Sequence, residues 1–167
     1  MDFKHDILPL KNIIFRTALR IVLNREEAED IVQDTLLKLW ERRDELEKVA
    51  NMEAFALTMA RNLAIDRKEK MDNQHVSLDE EEHDLPEGLG NTDSQLMHQE
   101  TQSFVANIIN SLPEKQRTIL QLRDIEGKSY KEIAEVLSIS ESDVKVTLFR
   151  ARNELKEKIL QKKSLFL

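Results

Sequence analysis

The sequence predicts an all-α protein of two small helical domains, an amino-terminal bundle of three to four helices and a carboxy-terminal four-helix domain with a helix-turn-helix, joined by an acidic, flexible linker. Apolar residues recur at three- and four-residue steps through most of the chain, which is the period of an amphipathic helix. Only three glycines and three prolines occur in 167 residues. The helical period fails over residues 71–93, which are acidic and contain Pro86, Gly88 and Gly90. We therefore predict domains at residues 1–70 and 96–167 and a linker at 71–95.

Capping signals divide the first domain into helices. The first helix is predicted over residues 5–23, and Asn24 with Glu27 forms a capping box for the second. Asn51 is the expected cap of the third helix. Trp40 falls on the apolar stripe of the second helix, so we expect it in the core and not on a base-stacking surface.

The charge of the chain is unevenly distributed. The net charge is −7, but nine acidic residues and no Lys or Arg lie between Met71 and Glu100. Residues Lys145–Lys163 carry seven basic residues against two acidic ones. A phosphate backbone responds to such a local basic surface, so the net charge does not exclude nucleic-acid binding.

The segment SYKEIAEVLSISESDVKVTLFRARNEL predicts a helix-turn-helix. Ser129 with Glu132 and Ser140 with Asp143 form two capping boxes, separated by the short turn 138–140. On the second helix we predict that base edges are contacted by Ser142, Lys145 and Val146, and phosphates by Arg150 and Arg152. The alternative is a helical hairpin with a solvated basic face.

Two polar faces stand opposite the apolar stripes of the first domain. The second helix carries Asp30, Gln33 and Asp34, and the third carries Arg61, Asn62, Arg67 and Lys68. From charge alone, each is most simply a solvated helix face, with Asp66 pairing one of the arginines.

Three stretches give these faces a functional interpretation. AEDIVQDTLLKLW, ARNLAIDRKEK and LPEKQRTILQLRDIEGKSYKEIAEVLSISESDVKVTLFRARNEL occur in this order. Together they resemble the extracytoplasmic-function (ECF) class of RNA polymerase sigma factors in the bacterial sigma-70 family, over roughly residues 5–70 and 100–160. The resemblance implies a transcription initiation factor without catalytic residues, metal or cofactor.

The resemblance also implies a role for each polar face. Asp30, Gln33 and Asp34 would bind the clamp helices of core RNA polymerase. The α-helical residues Arg61, Asn62, Arg67 and Lys68 would meet the minus-ten promoter element and help to melt it, with a base pocket in the loop 44–51. Ser142, Lys145, Val146, Arg150 and Arg152 would read the minus-thirty-five element, and this second domain would touch the polymerase flap.

Regulation by a partner is also expected. Because the linker leaves the placement of the two domains open, we predict an anti-sigma factor that holds them together and hides both DNA surfaces. The linker is either a simple tether or a phosphate mimic in the polymerase channel. We expect a cytoplasmic location without membrane insertion, since the chain has no cysteine and no signal-peptide or membrane-spanning pattern.

Two other functions fit the same pattern. A self-sufficient repressor or activator would use the first domain as a sensor, and a helical adaptor would not bind DNA. The four histidines do not have metal-ligand spacing, so they are interpreted as surface residues.

Overall fold

The computed structural model describes residues 2–74 and 104–166. The amino-terminal part contains four α-helices: α1 (Phe3–Asp6), α2 (Lys11–Val22), α3 (Arg25–Glu41) and α4 (Met52–Gln74). Two single 3₁₀ turns, Leu8–Leu10 and Leu46–Lys48, precede α2 and α4.

The carboxy-terminal part is built in the same way. Residues 104–110 are helical and are named α5. They are followed by α6 (Glu114–Leu120), a π-helical turn (Gln121–Ile125), α7 (Tyr130–Leu137) and α8 (Glu141–Phe166). All regular structure in the described residues is helical, which confirms the predicted fold class. Within these residues, no helix combines the length and apolar character needed to cross a membrane.

Two helix boundaries differ from the prediction. The single helix expected over residues 5–23 is broken into α1, a 3₁₀ turn and α2, because Pro9 has no N–H to donate within a continuous helix. At the other end, α4 continues to Gln74, into the segment assigned to the linker, and Met71 is buried. The rest of the predicted linker, from residue 75, lies outside the described residues.

The predicted amino-terminal caps are confirmed. In each case the side-chain oxygen accepts a hydrogen bond from the backbone N–H three residues later, at 3.0 Å for Asn24, 3.0 Å for Asn51, 3.1 Å for Ser129 and 3.0 Å for Ser140. These side chains replace partners that the first turn of a helix lacks. The acidic residues of the three predicted capping boxes bind other groups and not the backbone N–H of the cap. Glu27 is bound by Arg67, Glu132 accepts from the Ser129 hydroxyl, and Asp143 accepts from Lys115 and Thr147.

The described parts of the two halves share one hydrophobic core. Helix α4 packs on α2 and α3 with one side and on α7 with another. Ala54 and Leu57 of α4 are therefore buried, and they face Ile133 and Val136 of α7. An amphipathic helix needs one apolar stripe per partner, so the second apolar side of α4 serves the second domain.

Candidate nucleic-acid interface

Helices α7 and α8 form the predicted helix-turn-helix. They are separated by residues 138–140, and Ser138 ends α7 in the left-handed conformation with φ 56°. Ala134 and Val144 are buried where the helices meet, and Ile139 packs against the core from the turn. The short turn and these three contacts fix the angle at which α8 presents its outer face.

The outer face of α8 carries all of the residues predicted to contact duplex DNA. Every member of this set is exposed: Ser142, Lys145, Val146, Arg150 and Arg152. Phe149 lies among them with 67% of its surface exposed, which makes it an apolar projection on a basic helix face. Phe149 is not among the residues that the sequence analysis assigned to a DNA contact.

One arginine of this face is already paired. The Arg152 guanidinium donates to Asp124, with Nε 3.0 Å from Oδ2, and this hydrogen bond raises the pKa of Arg152. Lys145 lies 5.4 Å from the centroid of the Tyr130 ring, within range of a cation–π contact. Of the two arginines predicted to contact phosphates, Arg150 is thus the more accessible.

Helix α3 presents its polar face outward. Asp30 and Gln33 are exposed and Asp34 is half-exposed. The three residues occupy one side of the helix, since they are three and four positions apart. They are rigidly placed because Ile31 and Leu39, on the opposite side, are buried in the core.

The four residues predicted to meet the minus-ten element lie in different surroundings on α4. Asn62 is exposed, whereas the Arg61 side chain is only 15% exposed and its Nη2 pairs with Glu114 of α6 at 3.2 Å. Lys68 pairs with Asp72 one turn later at 3.2 Å. Among the described residues, Arg61 Nε has no hydrogen-bond partner although it is buried.

Arg67 joins the α4 face to the α3 face. Its Nη1 lies 2.6 Å from Glu27 and 3.5 Å from Asp30, and its Nη2 lies 3.1 Å from Asp34. The hydrogen bond with Glu27 raises the pKa of Arg67 most, and the charges of Asp34 and Asp30 add to the effect. The expected pairing of an arginine with Asp66 is not seen, because α3 and α6 supply the partners of Arg67 and Arg61.

Polar contacts cross between the two halves at the end of α2. Arg117 of α6, only 7% exposed, donates to the carbonyl oxygens of Arg20 and Ile21 at 2.8 and 3.1 Å. These carbonyls belong to the last turn of α2 and have no partner within the helix. Arg16 of α2 binds Glu126 in two hydrogen bonds of 2.7 and 2.8 Å.

A further ion pair closes the same boundary. Lys128, which follows the π-helical turn, pairs with Glu53 in the first turn of α4. Together with the Arg61–Glu114 pair, it places charged contacts on both sides of the apolar contact between α4 and α7. These contacts join residues distant in sequence, so no local pattern indicated them.

Trp40 corrects the prediction that it belongs to the core. It is 46% exposed, meets Phe3 edge to face at 5.2 Å, and lies beneath the Arg43 guanidinium at 4.2 Å. Trp40 lies on the edge of the apolar stripe of α3: it follows the partly buried Val32 and Leu36 at four-residue steps, whereas its neighbour Leu39 belongs to the buried side of the helix. In the adjoining loop, Leu46 is buried and anchors residues 44–51.

The described residues offer no cluster of three His, Cys, Asp or Glu side chains able to hold a metal ion. His5 is exposed. The other three histidines lie outside the described residues, so the interpretation of those residues as surface groups stays a prediction.

Comparison with known proteins gives this geometry a family context. The sequence profile of sigma-70 region 2 matches residues 7–73, and that of sigma-70 region 4 matches residues 105–155. The chain is 27% identical over 148 residues to an ECF RNA polymerase sigma-E factor of Haemophilus influenzae, with 82% of this chain and 77% of the relative covered. It is 28% identical over 170 residues to the RNA polymerase sigma-H factor of Pseudomonas aeruginosa, with 96% and 83% covered.

A solved structure is similar over nearly the whole chain. The sigma factor RpoE of Bartonella quintana, crystallised with the anti-sigma factor NepR, superimposes with a TM-score of 0.74 and 28% identity. The match covers 93% of this chain and 95% of the other. Two family profiles in the expected order decide against the repressor and adaptor interpretations: the chain belongs to the sigma-70 family, in the ECF class of sigma factors, whose members bind RNA polymerase and direct transcription initiation at promoters.

Proposed function

We propose that this protein docks on core RNA polymerase through α3, melts the minus-ten element with α4, and reads the minus-thirty-five element with α8. The observation that carries the proposal is the pairing of two outward faces on one chain. A polar face on α3 is held by a buried apolar stripe, and a basic face on α8 is set by a tight helix-turn-helix.

The α3 face suits a cationic partner helix. Asp30 and Asp34 offer carboxylate oxygens that arginines bind in a bidentate manner, and the Gln33 amide can both donate and accept. We expect the clamp helices of the polymerase to supply those cations. Because the three groups project from a rigid helix, they would set the register of docking as well as its affinity.

The α4 face suits a melted strand. Arg61, Arg67 and Lys68 offer positive charge for the backbone, and the exposed Asn62 amide can pair with a base edge. A base that leaves the stack needs a pocket, and we place it in the loop 44–51, between α3 and α4. The free energy for opening would come from binding contacts, so no cofactor is required.

The α8 face suits duplex DNA. Its amino-terminal part would enter the major groove, where Ser142, Lys145 and Val146 reach base edges. Arg150 and Arg152 would contact phosphates, and Arg152 must first leave Asp124. The second domain would also touch the polymerase flap, which positions it upstream of α4.

The decisive experiment separates docking from melting. Alanine at Asp30, Gln33 and Asp34 should abolish core polymerase binding and promoter opening together, measured by affinity capture and by permanganate reactivity of thymines near the start site. Asn62→Ala should leave core binding intact and reduce only the permanganate signal. Normal transcription by the triple variant would refute the docking role.

A matched control removes the same number of carboxylates elsewhere on the protein. The double variant Glu29→Ala, Glu135→Ala changes exposed residues of α3 and α7 that do not belong to the set proposed to dock. We expect it to bind polymerase normally. Equal losses in the two variants would mean that total charge, and not the face, determines binding.

We also propose that an anti-sigma factor controls this protein. The support is the likeness to RpoE, whose structure was determined in complex with NepR. Such a partner should compete with core polymerase for the full chain. A partner captured from the cells that make the protein, if it fails to displace polymerase in a binding assay, would contradict the proposal.

A further inference from the structure

We propose that Arg67 couples polymerase docking to promoter binding: the α3 carboxylates that receive the polymerase hold this arginine in the free protein, and docking releases it for a DNA phosphate. The inference rests on the proposed function, which assigns Asp30 and Asp34 to the polymerase and Arg67 to the promoter. It adds an energetic connection between two sites that otherwise act separately.

In the free protein the α3 carboxylates compete with DNA for Arg67. Asp34 accepts from Nη2 of Arg67 at 3.1 Å, while Glu27 accepts from Nη1 at 2.6 Å. Asp30 lies 3.5 Å from Nη1. Both terminal nitrogens of the guanidinium therefore donate to carboxylates, and the Arg67 side chain keeps only 30% of its surface exposed.

The charge of the cluster also opposes DNA. Three carboxylates, from Glu27, Asp30 and Asp34, surround one guanidinium, so the local net charge is negative and a phosphate approaching Arg67 is repelled. Because the cluster remains in contact with solvent, salt screens its repulsion of a phosphate, which therefore acts only within about 10 Å at ordinary ionic strength.

Docking would reverse this situation. Cations of the polymerase that bind Asp30 and Asp34 neutralise two of the three carboxylates and take the partner of Nη2. Arg67 then keeps its hydrogen bond to Glu27, and Nη2 becomes free to donate to a phosphate oxygen. Because the side chain is long, it can turn outward without movement of the α4 backbone.

Thermodynamic linkage gives the test its form. If docking releases Arg67, removing the Asp34 charge should imitate docking and strengthen DNA binding by the free protein. We expect Asp34→Asn to tighten binding of a fluorescein-labelled, mixed-sequence single-stranded oligonucleotide about fivefold, measured by fluorescence anisotropy on the full chain. Circular dichroism would verify that the variant is folded.

The matched control is Glu29→Gln. It removes the same charge from the same exposed helix, but Glu29 pairs with Arg25, at 3.1 Å, and not with Arg67. We expect less than about a twofold change, since an exposed charge farther from the binding groups is screened. An equal gain in both variants would overturn the proposal in favour of a general charge effect.

A double-mutant cycle isolates the arginine. In an Arg67→Gln background, Asp34→Asn should no longer tighten DNA binding. A gain that persists without Arg67 would overturn the coupling, as would a failure of Asp34→Asn to strengthen binding at all.

The outcome for the proposed function can be distinguished. If Arg67→Gln weakens promoter opening by the holoenzyme while Asp34→Asn leaves the free protein unchanged, the coupling fails and the promoter role of Arg67 stands. If Arg67→Gln changes neither promoter opening by the holoenzyme nor DNA binding by the free protein, both the coupling and that promoter role are refuted.

Discussion

Substitution of Arg117 by methionine should separate the two domains of the free protein. The guanidinium donates to Arg20 O, Ile21 O and Leu112 O at 2.8, 3.1 and 2.7 Å, and the first two bonds cross the domain boundary. Burial lowers the pKa of Arg117, and the nearby carboxylate of Glu114 partly offsets this effect. Methionine keeps the apolar stem but removes every donor.

The expected magnitude follows from the two bonds that cross the boundary. A hydrogen bond from a charged donor contributes about 1.5–3 kcal/mol. Once the domains separate, the carbonyl oxygens of α2 can accept hydrogen bonds from water. We therefore expect the free energy that stabilises the closed arrangement to fall by about 3 kcal/mol, and not by the sum of all three bonds. The ratio of separated to closed molecules should then rise about 100-fold.

The assay uses a distance across the boundary. Since the chain has no cysteine, spin labels can be attached through Lys38→Cys in α3 and Lys131→Cys in α7, both at exposed positions. The distance distribution should broaden and lengthen in Arg117→Met. The control is Arg123→Met, whose guanidinium donates to Lys128 O at 2.9 Å within the second domain.

Two outcomes would refute this reasoning. If Arg117→Met and Arg123→Met reduce the free energy of unfolding equally and leave the distance unchanged, Arg117 acts only within its own domain. If the distance in the unsubstituted protein is already broad, the contacts across the boundary do not determine the arrangement in solution.

The remaining predictions concern pH and DNA. Burial by itself raises the pKa of Glu126, but hydrogen bonds from Arg16 and Gln121 outweigh it, so the net pKa lies below its usual value. A carboxyl with a lowered folded-state pKa contributes stability above its unfolded pKa of about 4.3, and the contribution is lost as pH falls through the folded pKa. The distance between the two spin labels should therefore lengthen below about pH 4. The variant Glu126→Gln should show this lengthening already at pH 7. Arg150→Ala should reduce the salt dependence of holoenzyme binding to promoter duplex by about one unit of slope, and an unchanged slope would exclude a phosphate contact.

The helices and the helix-turn-helix could be predicted because their determinants are local. Asn24, Asn51, Ser129 and Ser140 each cap the helix that follows them, and every one of these bonds spans three residues. The exposure of the α8 residues could be predicted in the same way. Once Val144 is taken as buried, the helical period determines which residues of α8 face outward.

The contacts of the site could not be predicted for the opposite reason. Arg61 and Glu114 are 53 positions apart, and Arg117 and Ile21 are 96 apart, so their proximity depends on how the domains pack. Trp40 was misplaced because the apolar period does not show which edge of a stripe the neighbouring helices leave uncovered. Arg67 was assigned to one face although its length lets it reach the other.

The two DNA surfaces differ in how far the free protein restrains them. On α4, Arg61 is bound by a carboxylate of the other domain and Arg67 by carboxylates of the α3 face, whereas Lys145 and Arg150 of α8 remain exposed. Docking of α3 would remove the Asp30 and Asp34 carboxylates from Arg67, and separation of the domains would remove Glu114 from Arg61. The cations that meet a melted strand would thus become available only on the polymerase, where a melted strand can form. The proposed duplex reading by α8 would need no such restraint, because a contact with closed DNA does not commit the protein to opening it.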